Sequence, residues 1–201
     1  MSYLKFYREA RGPARRVAVF PGSFNPPTCA HLALAERAAE VMDEVIFVLP
    51  EAFPHKSFEG VGFEGRLELL LKAAQHPRFT VASTPRGLFI EIARALRPHR
   101  AEASLHFLCG RDAAERIVNW DYGEPEAFAG MLREFQLLVA ARGGAYEPPA
   151  SLAHGIAALE LERDYAEVSA TEVRRRVLLA DDCLDLLPPA IIDDVRRLYG
   201  A

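Results

Sequence analysis

Val17-Ala18-Val19-Phe20-Pro21-Gly22-Ser23-Phe24-Asn25-Pro26-Pro27-Thr28-Cys29-Ala30-His31-Leu32 joins a short apolar run to a helical pattern through a turn with one glycine and three prolines. Val17 to Phe20 read as a buried strand, because a β-branched and aromatic run ends at Pro-Gly. Gly22 lets the backbone approach a ligand with no Cβ in the way. Pro26 and Pro27 hold off helix until the chain has passed them. Thr28 is then the N-cap of a helix carrying Leu32, Leu34 and Ala38.

His31 falls at the third helical position, on the same side of the first turn as Thr28. A capping box takes Glu or Gln there, so an imidazole breaks the local rule. A helix start offers free N–H groups and the positive end of a dipole, which suits an anion. A hydroxyl and a protonatable ring added to it make a site for a phosphate whose charge changes during reaction. Alone, the pair Thr28 and His31 is equally a capped helix with a half-buried histidine.

Outward from this stretch, strand and helix signals alternate, the pattern of a parallel sheet covered on both faces. A helix is predicted near 30–42 and a second strand over Glu44–Leu49, closed by Pro50. The loop 50–62 follows, then a helix over Phe63–Gln75, a strand over Phe79–Ser83 and a helix over Leu88–Leu96. Leu105–Cys109 is a fourth strand stopping at Gly110, with a helix starting near Asp112. Gln136–Ala140 is a fifth strand and Ile156–Leu161 a sixth. Helices near 170–180 and 189–199 close the chain, the latter opened by Pro188-Pro189. The fold class is thus α/β, a doubly wound parallel sheet in a single domain over residues 1–201. Residues 1–16 read as a frayed N-terminal extension and 168–201 as the C-terminal helices. In such sheets ligands sit at the strand carboxyl ends where strand order reverses, so the loops 21–31, 50–56 and 110–112 are the informative ones.

At 201 residues the chain can bury a full core. Half of it is hydrophobic and about a quarter charged, an ordinary globular composition. A net charge of −4 argues against a nucleic-acid binder. Cys29, Cys109 and Cys183 are too widely spaced for a disulfide framework or a zinc site, which points to a reduced, cytoplasmic setting. No apolar run is long enough for a membrane span, and no signal sequence is visible.

The opening string resembles the signature G-x-F-[DN]-P-x-[HT]-x-G-H of the nucleotidylyltransferase superfamily. Gly22, Phe24, Asn25, Pro26, Thr28 and His31 fall in place, and Ala30 stands where the signature has Gly. Ser169-Ala170-Thr171-Glu172-Val173-Arg174 is by itself an ordinary capping box. It is also similar to the superfamily's late S-[ST]-T-x-[IV]-R motif, with Ala170 replacing a hydroxyl. Arg175 and Arg176 read as solvated.

Further segments resemble the adenylyltransferase branch that makes pyridine dinucleotides. Pro54-His55-Lys56 is similar to its Pro-His-[RK] loop, although Lys56 alone is equally a surface charge. Arg66-Leu67-Glu68 with Leu70 matches an R-L-E-x-L helix in which the leucines are core and Arg66 reads as a rim charge. Gly110-Arg111-Asp112 and Trp120 resemble a G-x-D…W segment, and Leu137 to Gly143 echo a strand ending in Arg-x-Gly. The departure is at Gly87-Leu88-Phe89-Ile90-Glu91-Ile92, where the branch carries a Ser-Tyr-Thr-x-Asp-Thr run that recognises nicotinate.

The resemblance implies a nucleotidyltransferase of NAD (pyridine nucleotide) biosynthesis that moves the adenylyl group of ATP to nicotinate or nicotinamide mononucleotide and releases pyrophosphate. It assigns catalysis to His31, Thr28 and Arg174. ATP binding falls to Gly22, Ser23, Phe24, His31, Gly110, Asp112, Ser169, Thr171 and Arg174. Lys56 and Trp120 are assigned to the acceptor. No metal ligand is implied, and Mg²⁺ is expected to arrive with the ATP. The partners are ATP and a phosphorylated small molecule, with no nucleic acid or membrane, and a homo-oligomer is compatible. Loss of the hydroxyl run predicts weak discrimination between the acid and amide acceptors, with stacking on Trp120 carrying more of the recognition. Two alternatives stand beside this reading. One is a nucleotidylyltransferase acting on phosphopantetheine or another phosphorylated acceptor; the other is a non-catalytic nucleotide-binding relative.

Overall fold

Val17 and Val19 point to one side of their strand and Ala18 and Phe20 to the other, and all four are buried. A strand buried on both faces belongs in the middle of a layered sheet, and the computed structural model places it there. The structure describes residues 3–52, 60–123, 127–140, 146–161 and 165–200. Its strands are β1 (Lys5–Arg8), β2 (Arg16–Pro21), β3 (Glu44–Pro50), β4 (Phe79–Thr84), β5 (Ser104–Gly110), β6 (Gln136–Ala140) and β7 (Ile156–Leu159). They form one sheet in the order β1-β4-β3-β2-β5-β6-β7, parallel except for β1.

From β2 the chain steps outward to β3 and β4, then crosses back to β5, β6 and β7 on the other side. Strand order therefore reverses between β2 and β5, which opens a crevice at their carboxyl ends. Helices α1 (Cys29–Val41) and α2 (Phe63–Ala73) cover the face carrying Ala18, Phe20, Phe47 and Leu49. Helices α3 (Phe89–Leu96), α4 (Arg111–Val118) and α5 (Ala127–Met131) belong with the opposite face, where Val19, Val48 and Phe107 lie. Two C-terminal helices, α6 (Ala170–Leu178) and α7 (Ile192–Tyr199), pack on the outer side of α2 through Leu69, Val173, Ile191 and Val195. Among the described residues no helix is long and apolar enough to cross a membrane.

The predicted doubly wound sheet is present, with two elements that the sequence did not show. Residues 5–8 are not frayed: they form β1, antiparallel to β4, with Phe6 opposite Ala82. Cations at both ends of the strand (Lys5 and Arg8, with Phe6 and Tyr7 between them) are what an edge strand uses to discourage further pairing, and in so short a run they read as a polar tail. Arg8 also donates to the carbonyls of Leu71 and Ala74, capping the end of α2. The other addition is α5, at five residues too short to show a period. Residues 189–191 form a 3₁₀ turn, so the last helix begins at Ile192, and β7 stops at Leu159.

The end of the sheet away from the crevice is fastened by a charge. Glu44, at the start of β3, is buried, and its carboxylate takes Arg100 Nε at 2.7 Å and Nη2 at 2.8 Å. The Thr80 hydroxyl donates to the same carboxylate at 2.5 Å and in turn accepts the Ala10 N–H at 2.9 Å. Arg100→Leu would strand that carboxylate without its cation, so urea unfolding of the variant should show a loss of about 3–5 kcal/mol. A loss below about 1 kcal/mol, the range of exposed ion pairs, would contradict this.

Candidate active site

The turn after β2 is shaped by its own side chains. Gly22 continues the pairing with β3 by donating to Val48 O at 3.1 Å. A Cβ at Gly22 would stand 2.8 Å from Phe24 Cζ, so glycine is needed here to admit the Phe24 ring. Phe24 takes the left-handed conformation (φ 43°) and is fully buried. Its ring meets Phe20 at 5.5 Å, Phe47 at 5.5 Å and His31 at 5.2 Å, all edge-on. The peptide bond between Asn25 and Pro26 is cis.

Three side chains from distant parts of the chain grip this turn. Arg66 of α2 is buried and donates Nη1 to Ser23 O at 2.9 Å. Arg174 of α6 donates Nη1 to Asn25 O at 2.6 Å, and its Nη2 lies 3.3 Å from Thr171 Oγ1. Tyr199, in the last turn of α7, donates its hydroxyl to Asn25 Oδ1 at 2.6 Å. Burial holds the Tyr199 phenol far above its ordinary range, so it remains a donor. Arg66 is therefore not a rim charge. It sits with Leu67, Leu69 and Leu70 on the buried side of α2, a placement visible in the helical spacing once that face is identified. Tyr199 follows Val195 by one turn on the buried side of α7, which is the signal it offered.

Thr28 is the N-cap of α1, as expected, but the capping box is complete, with the imidazole taking the glutamate's place. His31 Nδ1 accepts the Thr28 N–H at 3.0 Å, and the Thr28 hydroxyl lies 2.8 Å from the same nitrogen. Nδ1, accepting a backbone N–H, carries no proton, so the neutral ring holds its proton on Nε2. This is the donor orientation suited to an anionic oxygen. Thr28 itself is fully buried, so in this geometry its hydroxyl orients His31 rather than reaching a ligand. Phe24, equally buried, acts by holding the turn and the ring.

His31 lies on the wall of a cavity of about 670 Å³ at the β2/β5 crevice. Pro21 and Gly110 line it from the strand ends, Leu88 and Phe89 from the start of α3, and Trp120 from beyond α4. Ala30, standing where the signature has glycine, is buried in the same wall. The structure thus gathers His31, Gly110 and Trp120 into one site. Asp112 is not in this wall; it lines an adjoining depression that shares Arg116, Trp120 and Asp121 with the cavity.

Gly22 and Ser23 of the turn, and Ser169, Thr171 and Arg174 at the start of α6, lie outside the cavity wall, and the bond between Arg174 and Asn25 joins the two segments. Ser169 caps α6 by accepting Glu172 N–H at 3.1 Å. The Glu172 carboxylate turns away to Arg175 and Arg176, which hold it down at a pKa of about 2, so half of the expected capping box forms. Arg176 also meets Asp185 at 3.1 Å and is less solvated than its neighbour. Lys56, with Pro54 and His55, and the Arg142-Gly143 pair lie outside the described residues.

The family model described as Cytidylyltransferase-like matches residues 19–176. A Thermus thermophilus protein described as "Probable nicotinate-nucleotide adenylyltransferase" is 33% identical over 173 residues, covering 81% of this chain and 86% of its own. A Desulfotalea psychrophila protein of the same description is 28% identical over 211 residues, covering 91% and 98%. In structure, the chain is similar to Plasmodium falciparum nicotinic acid mononucleotide adenylyltransferase complexed with NaAD (TM-score 0.70, 16% identity, 91% of this chain and 95% of that one). The same enzyme complexed with APC superposes with a TM-score of 0.71 at 15% identity.

The grip on the turn is testable apart from any activity. Tyr199→Phe leaves Asn25 Oδ1 without this donor in a buried setting, and denaturant unfolding should register a loss of about 1–3 kcal/mol. An unchanged midpoint would mean the contact holds nothing.

Proposed function

The chain belongs to the cytidylyltransferase-like family, and on that footing we propose that it transfers the adenylyl group of ATP to nicotinate mononucleotide, releasing pyrophosphate, in NAD biosynthesis. The observation that carries this reading is His31: a ring fixed by the N-cap of a helix, its proton on Nε2, on the wall of a cavity that also presents Trp120. The relatives from Thermus and Desulfotalea support the choice of acceptor. A phosphopantetheine acceptor would give the indole nothing flat to stack on, and pyrophosphate release separates an enzyme from a non-catalytic binding module.

In the reaction, a phosphate oxygen of the acceptor attacks the α-phosphorus of ATP in line. The new P–O bond forms as the bond to the bridging α,β-oxygen breaks, and that oxygen leaves with pyrophosphate. The enzyme supplies position and electrostatics and forms no covalent intermediate. His31 Nε2–H meets an α-phosphate oxygen as negative charge builds, beside the free N–H groups at the start of α1. Thr28 and Phe24 hold the ring in place. Gly22 and Ser23 give the turn its backbone path toward the phosphates. Arg174, with Ser169 and Thr171 at the start of α6, contacts the β- and γ-phosphates, exchanging or sharing its bond to Asn25 O. Gly110 and Asp112 lie toward the ribose, while Trp120 and Lys56 serve the acceptor. Mg²⁺ enters this reading as part of the MgATP substrate, held by the phosphates.

Pyrophosphate release from ATP and nicotinate mononucleotide tests the function directly, and its absence with this acceptor and with the amide overturns the reading. His31→Ala should lower kcat on the order of 10²–10³-fold, the effect of removing one transition-state donor. The same change removes half of a capping box, so unfolding should also show a loss of about 1 kcal/mol. Near wild-type turnover would exclude His31 from the chemistry. Arg174→Ala should weaken ATP far more than AMP in calorimetry, by roughly 1.5–3 kcal/mol of charge-assisted bonding. Equal losses for the two nucleotides would place Arg174 elsewhere.

A further inference from the structure

A ring stacked on Trp120 enters a cavity whose wall is largely apolar, so few side chains are available to read its substituent. The polar side chains in that wall are His31, Cys109, Arg116, Trp120, Asp121 and Tyr122. Most are committed. His31 spends Nδ1 on the cap of α1, and Nε2 belongs to the α-phosphate. Burial pushes the Cys109 thiol up to about 12, leaving a weak donor. The Tyr122 hydroxyl donates to Ile117 O at 3.0 Å, and Asp121 Oδ1 accepts the Gly123 N–H at 2.8 Å. Trp120 contributes its ring face.

Arg116 remains. Its Nε donates to Asp112 O, one turn back on α4, at 3.1 Å. That bond lays the guanidinium along the helix toward Gly110 and uses one of its five N–H donors. Its helix neighbour Arg111 is neutralised by Glu115 at 2.8 Å, whereas no ion pair of Arg116 is found among the described residues. Trp120 lies four residues further on, where the chain turns back from Trp120 N to Ile117 O at 3.4 Å. Arg116 and Trp120 line the same cavity wall, so a ring stacked on the indole has the guanidinium as a neighbour.

We propose that Arg116 is the specificity-determining residue of the acceptor site, selecting a ring that bears a carboxylate over one that bears a carboxamide; this rests on the adenylyl-transfer reading above. A carboxylate only accepts hydrogen bonds, and its two oxygens match the fork of a guanidinium. A carboxamide offers one oxygen and an NH₂ that faces a donor with a donor. The hydroxyls that would relieve that clash are absent, because Leu88, Phe89 and Ile90 occupy that part of the wall. The missing hydroxyls alone predict weak discrimination; the charge of Arg116 reverses that expectation.

Steady-state kinetics with nicotinate and nicotinamide mononucleotide on the wild-type chain, Arg116→Leu and Arg116→Lys tests this. The wild type should prefer the acid. Arg116→Leu should lower the acid-to-amide ratio of kcat/KM by about 10- to 100-fold, with the KM for ATP unchanged as the sign of an intact fold. Arg116→Lys, which keeps the charge without the fork, should fall between. A ratio that Arg116→Leu does not move overturns the proposal. So does an equal loss with both acceptors, which would mean that Arg116 reads the acceptor's phosphate. A wild-type chain that adenylates neither acceptor overturns the reaction assignment itself, an outcome distinct from an active enzyme with an unmoved ratio.

Discussion

The ring of Phe24 sits where any side chain on Gly22 would have to be, and the candidate site depends on that exclusion. Holding a phenylalanine at positive φ costs on the order of 1–3 kcal/mol. The cost is offset by burying the ring completely against Phe20 and Phe47, at roughly 1.5–3 kcal/mol for a large apolar side chain. The result is a turn with one shape. His31 inherits it: its ring leans edge-on against Phe24 while its Nδ1 is spent on the Thr28 N–H, so both the plane and the tautomer of the imidazole are settled before a ligand enters. The grips of Arg66, Arg174 and Tyr199 act on the carbonyl and amide oxygens of the same turn and tie it to α2 and to the C-terminal helices. Preorganisation of this kind lets a few donors contribute strongly to a charged transition state.

The sheet separates stability from chemistry. At the amino end of its strands Glu44, Arg100 and Thr80 close a buried, charge-assisted network that also collects the N-terminal arm through Ala10. At the carboxyl end the reversal of strand order between β2 and β5 opens a cavity lined by Pro21 from the end of β2 and by Gly110 and Ala113 at the start of α4. A parallel sheet buried on both faces can carry such an opening because its core lies in the two layers beside it.

Period and punctuation made most of the fold legible. Most strands from β2 to β7 read as a short apolar run ended by Pro or Gly or a polar turn, and α2 shows Leu67, Leu70 and Leu71 at helical spacing. What escaped was short or masked by charge. β1 has four residues of which two are cations, and its partner β4 lies more than seventy residues away, so no local pattern announces it. In the site, Thr28 and His31 were legible because a cap position and a misplaced imidazole are local facts. The real partner of that imidazole was harder to see: a histidine nitrogen can take the acceptor role that a glutamate oxygen has in a capping box, so the broken rule turned out to be a kept one. Arg66 and Tyr199 stayed hidden for a different reason. Their partners, Ser23 O and Asn25 Oδ1, are 43 and 174 residues away, and only the fold brings them together.

Replacing a hydroxyl-bearing run with Leu88, Phe89 and Ile90 changes more than the count of hydrogen bonds. Phe89 stacks on Phe107 with centroids 4.5 Å apart, and Phe107 meets Phe135 at 4.6 Å, so this side of the cavity is a rigid aromatic wall. Such a wall excludes water and lowers the local dielectric. Two unit charges 4 Å apart interact by about 1 kcal/mol in water and by about 4 kcal/mol at an effective dielectric of 20. A single guanidinium at the rim of an apolar chamber thus gains leverage over a charged ring substituent that it would lack among solvated hydroxyls. A carboxamide, with no net charge, gains less from the same change, whereas a carboxylate loses more on leaving water and regains it through the guanidinium. On this physics an apolar acceptor site does not mean a permissive one: it moves the work of selection from several neutral contacts to charge, and Arg116 is the cation that meets this choice, with Asp121 the anion of the same wall.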